Sequence, residues 1–99
     1  MGVFQPHLYS RTKDFKKGFA EALDLLDEAI LIPIYPAREK PIRGISSKSI
    51  FDLMKSKKKK LIKKEGLIKF FSNKKVDVLM TLGAGDIDTE VQGIKKALL

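Results

Sequence analysis

Two apolar runs, Ala29 to Ile34 and Val76 to Leu82, constrain what this chain can fold into more than any other feature. A strand with one face in water alternates apolar and polar residues, whereas consecutive apolar residues suit a strand of a parallel sheet that is covered on both faces. Pro33 lacks a backbone N–H, so it confines the first strand to its last residues or to an edge. Val3 to Gln5, cut off by Pro6, reads as the tail of a further strand, and Leu61 and Ile62 within Lys58–Lys63 read as a short one.

The segments between these strands carry helical periodicity. From Thr12, Phe15, Phe19, Ala22, Leu23 and Leu26 recur at spacings of three and four, with Thr12 placed as an N-cap and Asp14 in the first turn. Gly18 falls on the same stripe, which predicts close packing against a sheet. Ser46 and Ser47 offer caps to a short helix burying Ile50, Phe51 and Met54. Lys64 to Asn73 predicts a helix burying Leu67, Ile68 and Phe71. Asp86 is placed as the cap of a last helix, with Ile87, Val91, Ile94 and Leu98 on one stripe and Lys95 and Lys96 in its final turn.

Strands that alternate with helices in this way predict an α/β fold. The expectation is a single domain over residues 1–99: a three-layer, Rossmann-like arrangement with a mostly parallel sheet of about four strands and helices on both faces. A chain of 99 residues can bury a modest core without metals or disulfides. No apolar run approaches the roughly 18 residues that a membrane helix needs. The N-terminal residues lack the pattern of a secretory signal and there is no cysteine, so the expected location is the cytoplasm.

The net charge of +8 often marks a nucleic-acid partner. Here much of the excess lies in Lys55 to Lys64 and is nearly all lysine, whereas base readers favour arginine for its two-pronged contacts. A solvated face is the simpler reading of such a run. A small basic nucleic-acid-binding module stays as an alternative, which salt-dependent DNA titration would test.

In a parallel sheet every strand-to-helix loop emerges at the carboxyl edge, where ligands bind. One such loop, Pro6 to Thr12, packs His7, Tyr9, Ser10 and Arg11 together. A second, Tyr35 to Ile45, is long and holds Tyr35, Arg38 and Glu39. The third, Gly83 to Asp86, is GAGD, where Gly83 and Gly85 let the backbone bend before a helix N-terminus suited to an anion. Each loop also has an ordinary reading: His7 and Tyr9 as structural residues, Arg11 paired with Asp14, and GAGD as a tight turn into a helix. Their convergence on one edge favours a site.

Three blocks, VFQPHLYSRTKDF, LIPIYPAREKPIRGISS and DVLMTLGAGDID, stand in the same order as in the C-terminal domain of the UDP-N-acetylmuramate L-alanine ligases, and the chain resembles that domain over nearly its whole length. The resemblance implies part of a cytoplasmic enzyme of peptidoglycan precursor synthesis, and so of cell-wall growth and division. Such an enzyme joins L-alanine to UDP-N-acetylmuramate, using ATP and Mg2+, through an acyl phosphate. It implies that the last domain helps to bind the amino acid and closes over ATP. The first two domains, and the start of this one, would complete the enzyme.

By the same resemblance, Arg11 holds a carboxylate of alanine or of the forming product, since a guanidinium fork fixes both oxygens. His7 and Tyr9 shape the pocket, while Tyr35, Arg38, Gly83, Gly85 and Asp86 line it; no residue is assigned a catalytic or metal-binding role. Two positions depart from the family pattern: Leu8 stands where many members carry arginine, and Pro33 where an acid is frequent. A further segment with acidic and histidine residues is expected before FQPH. No GxxxxGK[ST] sequence occurs, so the chain by itself is expected to bind no cofactor and to lack ligase activity. Another amino-acid ligase of the same superfamily, and a degenerate relative with a structural or regulatory role, remain the alternatives within this resemblance.

Overall fold

A computed structural model describes residues 1–99. Four strands, β1 (Gly2–Phe4), β2 (Ala29–Leu31), β3 (Lys59–Leu61) and β4 (Met80–Leu82), form one sheet in the order β3-β2-β1-β4, and every neighbouring pair is parallel. The helices are α1 (Tyr9–Leu23), α2 (Ser47–Phe51), α3 (Leu67–Phe71) and α4 (Val91–Leu98), with 3-10 turns at Lys64–Gly66 and Ile87–Glu90. No helix is long and apolar enough to cross a membrane.

The central strand β2 shows why the fold has three layers. Successive strand residues point to opposite faces, and Ala29, Ile30 and Leu31 are all buried. Ile30 and Ile32 join Val3, Leu67, Phe71, Ile87 and Ile94 on the α3/α4 side. Ala29 and Leu31 join Ala20, Leu23, Ile50 and Met54 on the α1/α2 side. Helices thus cover both faces, as the unbroken apolar run requires.

Several local expectations give way to the tertiary structure. Helix α1 begins three residues before Thr12, which is fully buried and donates its hydroxyl to the Leu8 carbonyl at 2.8 Å instead of capping the helix. Phe15, Ala22 and Gly18 face solvent, and nothing lies within 4 Å of where a Gly18 Cβ would stand. α1 turns Thr12, Ala20 and Leu23 inward, a stripe displaced from the one its large side chains suggest. Ile68 and Val78 are likewise exposed, at 44% and 69%. Only Met80–Leu82 of the second apolar run is strand, matching in register the three residues Gly2–Phe4 of β1, its one neighbour. Ser46 does cap α2, accepting from the Lys48 N–H at 3.2 Å, while Ser49 Oγ accepts from the Ser46 N–H at 3.0 Å.

Candidate functional site at the carboxyl edge of the sheet

Where β1 and β2 end, their chains stay side by side. The Ile32 N–H donates to the Phe4 carbonyl at 3.0 Å and the Tyr35 N–H to the Pro6 carbonyl at 2.9 Å. The Leu8 N–H then reaches the Tyr35 carbonyl at 2.9 Å, which sets His7 opposite Tyr35. Their rings stack, with centroids 5.9 Å apart and planes inclined by 13°. Leu8 carries this geometry at a backbone cost, since its φ of 68° lies where a side chain crowds the main chain. Hydrogen bonds hold it on both sides: its N–H is bound by Tyr35, and its carbonyl accepts from the Thr12 N–H at 3.2 Å and the Thr12 hydroxyl.

The GAGD loop closes against the same stack. A Cβ on Gly85 would lie 2.5 Å from Tyr35 Cβ and Cγ and 2.6 Å from Gln5 Oε1, and one on Gly83 would lie 2.9 Å from the Gln5 carbonyl oxygen. Close approach therefore requires both glycines, and Gly83 also holds a φ of 156° that disfavours any side chain. Asp86 does not cap the helix that follows. Its carboxylate accepts from Gln5 Nε2 at 2.6 Å and from Lys64 Nζ at 2.7 Å, and Gln5 Oε1 accepts the Ile87 N–H at 3.0 Å. These hydrogen bonds, from Gln5 first and Lys64 second, hold the Asp86 carboxyl below its ordinary range; the same contact raises Lys64. A cleft of about 280 Å³ opens over this network, lined by Gln5, Ile34, Tyr35, Pro36, Lys64 and Asp86. With the Asp86 carboxylate bound by Gln5 and Lys64 and the Ile87 N–H donated to Gln5, the helix start reached through GAGD does not present the free anion site that the sequence suggested.

Arg11 and Ser10 lie in the first turn of α1, just beyond the stack. Ser10 is held by Glu39, whose carboxylate accepts from its N–H at 3.1 Å and its hydroxyl at 2.5 Å. Those bonds lower the Glu39 carboxyl and fasten the long loop across the start of α1. Arg11 is exposed and forms no ion pair with Asp14 or any other acid. Tyr9 faces a different opening, an apolar groove of about 480 Å³ shared with Pro33, Ile34, Pro41, Ile45 and Lys63. Arg38 is exposed on the long loop and takes no part in these networks.

The structure thus brings His7, Tyr35, Gly85 and Asp86 into one network, sets Gly83 against Gln5 and Arg11 one helical turn beyond the stack, and leaves Tyr9 and Arg38 outside it. It adds Gln5, Lys64 and the Glu39–Ser10 pair. No three His, Cys, Asp or Glu side chains converge as a metal site would require.

No family model matches the chain. Over 93 residues, 93% of its length, it is 57% identical to the UDP-N-acetylmuramate–L-alanine ligase of Phocaeicola vulgatus, and it covers 20% of that protein. The corresponding enzyme of Parabacteroides distasonis is 52% identical over 97 residues, 98% of this chain and 21% of its own. That of Porphyromonas gingivalis is 48% identical over 99 residues, 99% of this chain and 22% of its own. The chain belongs to the UDP-N-acetylmuramate–L-alanine ligases. It spans about a fifth of the length of the ligases it matches.

Membership in this ligase family gives the residues missed in the sequence a place. Gln5 sits between the phenylalanine and proline of the FQPH block, and it is 4% exposed. An amide at the end of an apolar strand must be hydrogen-bonded if buried, which was the one available signal that it ties β1 to GAGD. Lys64 was hidden by its neighbours in the lysine run, since nothing in the local sequence sets it apart from Lys63. In this member of the family, then, the GAGD block is held to FQPH by side chains from both.

Proposed function

We propose that this chain serves as an amino-acid-presenting domain, residues 1–99, of an ATP-dependent ligase that joins L-alanine to UDP-N-acetylmuramate in peptidoglycan precursor synthesis. The observation that carries the reading is that the blocks shared with these ligases, distant in sequence, meet at one sheet edge as the stacked His7 and Tyr35, the Gly85 contact and the Gln5–Asp86–Lys64 network. Arg11, beside this stack and unpaired, binds the carboxylate of alanine or of the product and so orients the amine toward the activated carboxyl group. His7 and Tyr35 form one wall, with Tyr9 on the adjoining groove, Arg38 on the covering loop, and Gly83 and Asp86 fixing the third side.

The chain provides no catalytic base in this reading. ATP, its magnesium ion and the nucleotide sugar are held by other parts of a complete cytoplasmic ligase, and this domain closes over the ATP; of the two acids that line the cleft, Asp86 is engaged by Gln5 and Lys64 and Glu65 is exposed. The alone-standing chain is expected to release no phosphate from ATP when L-alanine is added. In a complete ligase that contains this segment, Arg11→Ala lowers alanine-dependent kcat/KM by about 30-fold, equivalent to about 2 kcal/mol. Alanine dependence identical to the parent enzyme would remove Arg11 from the substrate, and a panel of amino acids distinguishes alanine from the substrates of related ligases.

A further inference from the structure

Only two residues other than glycine hold a positive φ, Leu8 at 68° and Ala37 at 52°. Strained residues of this kind persist where their surroundings over-determine them, and they gather at ligand clamps. One contact joins the two. Leu8 occupies the N-cap position of α1, where a side-chain oxygen ordinarily accepts an amide of the first turn, but leucine offers no oxygen and that turn holds no acid. The acceptor comes instead from 29 residues further along the chain, as the Glu39 carboxylate takes the Ser10 N–H and hydroxyl. Ala37 is what turns the loop back to deliver it. The Glu39 N–H donates to the Pro36 carbonyl at 2.9 Å, closing a turn whose first central residue is Ala37, a position that glycine, asparagine or aspartate normally fills.

We infer that Glu39 is a positioning residue: it caps α1 from the long loop and so holds the turn from which Arg11 reaches the substrate carboxylate. The inference rests on the role proposed above for Arg11. Ser10 and Arg11 are consecutive, so the bonds that fix the Ser10 amide and hydroxyl also fix the backbone from which the guanidinium departs. The same carboxylate sits at the positive end of the α1 dipole. A carboxylate arriving with the substrate therefore finds the start of the helix taken and is left to Arg11. Glu39 itself touches no substrate in this arrangement.

Steady-state kinetics of a complete ligase that contains this segment test it. Glu39→Ala is expected to raise the KM for alanine about fivefold, the factor that a helix cap carries, because apparent affinity follows the fraction of molecules holding the competent turn. kcat and the KM for ATP should stay near the parent values. Glu39→Gln, which keeps an oxygen for Ser10, recovers part of the loss. Ala37→Val, β-branched at a positive φ, loosens the same turn and raises the alanine KM, whereas Ala37→Gly leaves it unchanged. On an Arg11→Ala background Glu39→Ala adds nothing, since the route through Arg11 is already gone. A parental alanine KM in Glu39→Ala, or a rise that adds in full to that of Arg11→Ala, would overturn the inference and leave Arg11 in its role. An equal rise in the KM for ATP would reduce Glu39 to a contact that stabilises the fold, and would overturn it too. Arg11→Ala with the parent's alanine KM would instead overturn the reading beneath the inference, and the inference with it.

Discussion

Replacing Gly85 with alanine tests the geometry of the candidate site at one atom. The added methyl carbon would stand 2.5 Å from two atoms of Tyr35 and 2.6 Å from Gln5 Oε1. None of these is the free end of a flexible chain. Tyr35 Cβ is fixed by a backbone that donates to Pro6 and accepts from Leu8, and Gln5 Oε1 holds the Ile87 N–H. Relief therefore requires the GAGD loop to lift or Tyr35 to swing off His7, and overpacking of this kind costs about 1 to 3 kcal/mol. Urea unfolding followed by circular dichroism reads the cost as a lower midpoint at unchanged slope. Proton–nitrogen correlation spectra, which report the surroundings of each backbone amide, should show the largest shifts at Gln5, His7, Tyr35 and Ile87. An unchanged midpoint together with unmoved Tyr35 and His7 signals would refute the close approach of GAGD to the stack.

Gly18→Ala is the contrasting substitution: the site is exposed, helical and open to 4 Å, so alanine should stabilise the chain by about 0.5 to 1 kcal/mol, read as a higher urea midpoint. Acid should weaken the fold in a defined way. Asp86, Glu39 and Asp24 are lowered by hydrogen bonds they accept from Gln5, Ser10 and Lys55, so their contribution is complete above the ordinary carboxyl values of 4.5 for Glu and 3.8 for Asp and is lost as pH falls through and below them. Midpoints measured across this range should fall toward acid, and Asp86→Asn should make that fall shallower; a slope unaltered by the substitution would show that Asp86 is not held as described.

The fold was legible because strands of a covered parallel sheet are buried on both faces, and the short apolar runs alternate with helical stretches. β2 is buried on both faces, and its sequence has no polar residue from Ala29 to Leu31. Edges are less legible. Val76 to Leu82 reads as a second apolar run although Asp77 and Thr81 interrupt it, and β4 pairs on one side only while Val78 points into water. Periodicity also placed the stripe of α1 too near its aromatic residues. Thr12 is polar and reads as a cap, but its hydroxyl is satisfied by the Leu8 carbonyl, so it is buried at no loss of hydrogen bonding while Phe15 is left outside. At the site, the sheet edge on which His7, Arg11, Tyr35 and Gly85 gather followed from topology alone. The bonds that fix them did not, because Gln5 and Asp86 are 81 residues apart and no local pattern couples them.

The strain at Leu8 explains why so many bonds converge on a small region. A residue other than glycine held at φ 68° costs on the order of 1 to 3 kcal/mol and persists only where its surroundings over-determine it. Here the Tyr35 carbonyl and the Thr12 N–H and hydroxyl fix the Leu8 peptide groups, and Glu39 fixes Ser10 two residues later. The turn from β1 into α1 is thereby set before any ligand arrives. Arginine, unbranched at Cβ like leucine, bears a similar backbone cost at position 8, so Leu8→Arg changes the side chain while leaving that turn in place. In a complete ligase this substitution supplies a second guanidinium beside Arg11, and a carboxylate bound through both should lower the KM for alanine with kcat little changed. A KM unaffected by Leu8→Arg but raised by Arg11→Ala would show that position 8 faces away from the carboxylate and that Arg11 holds it alone.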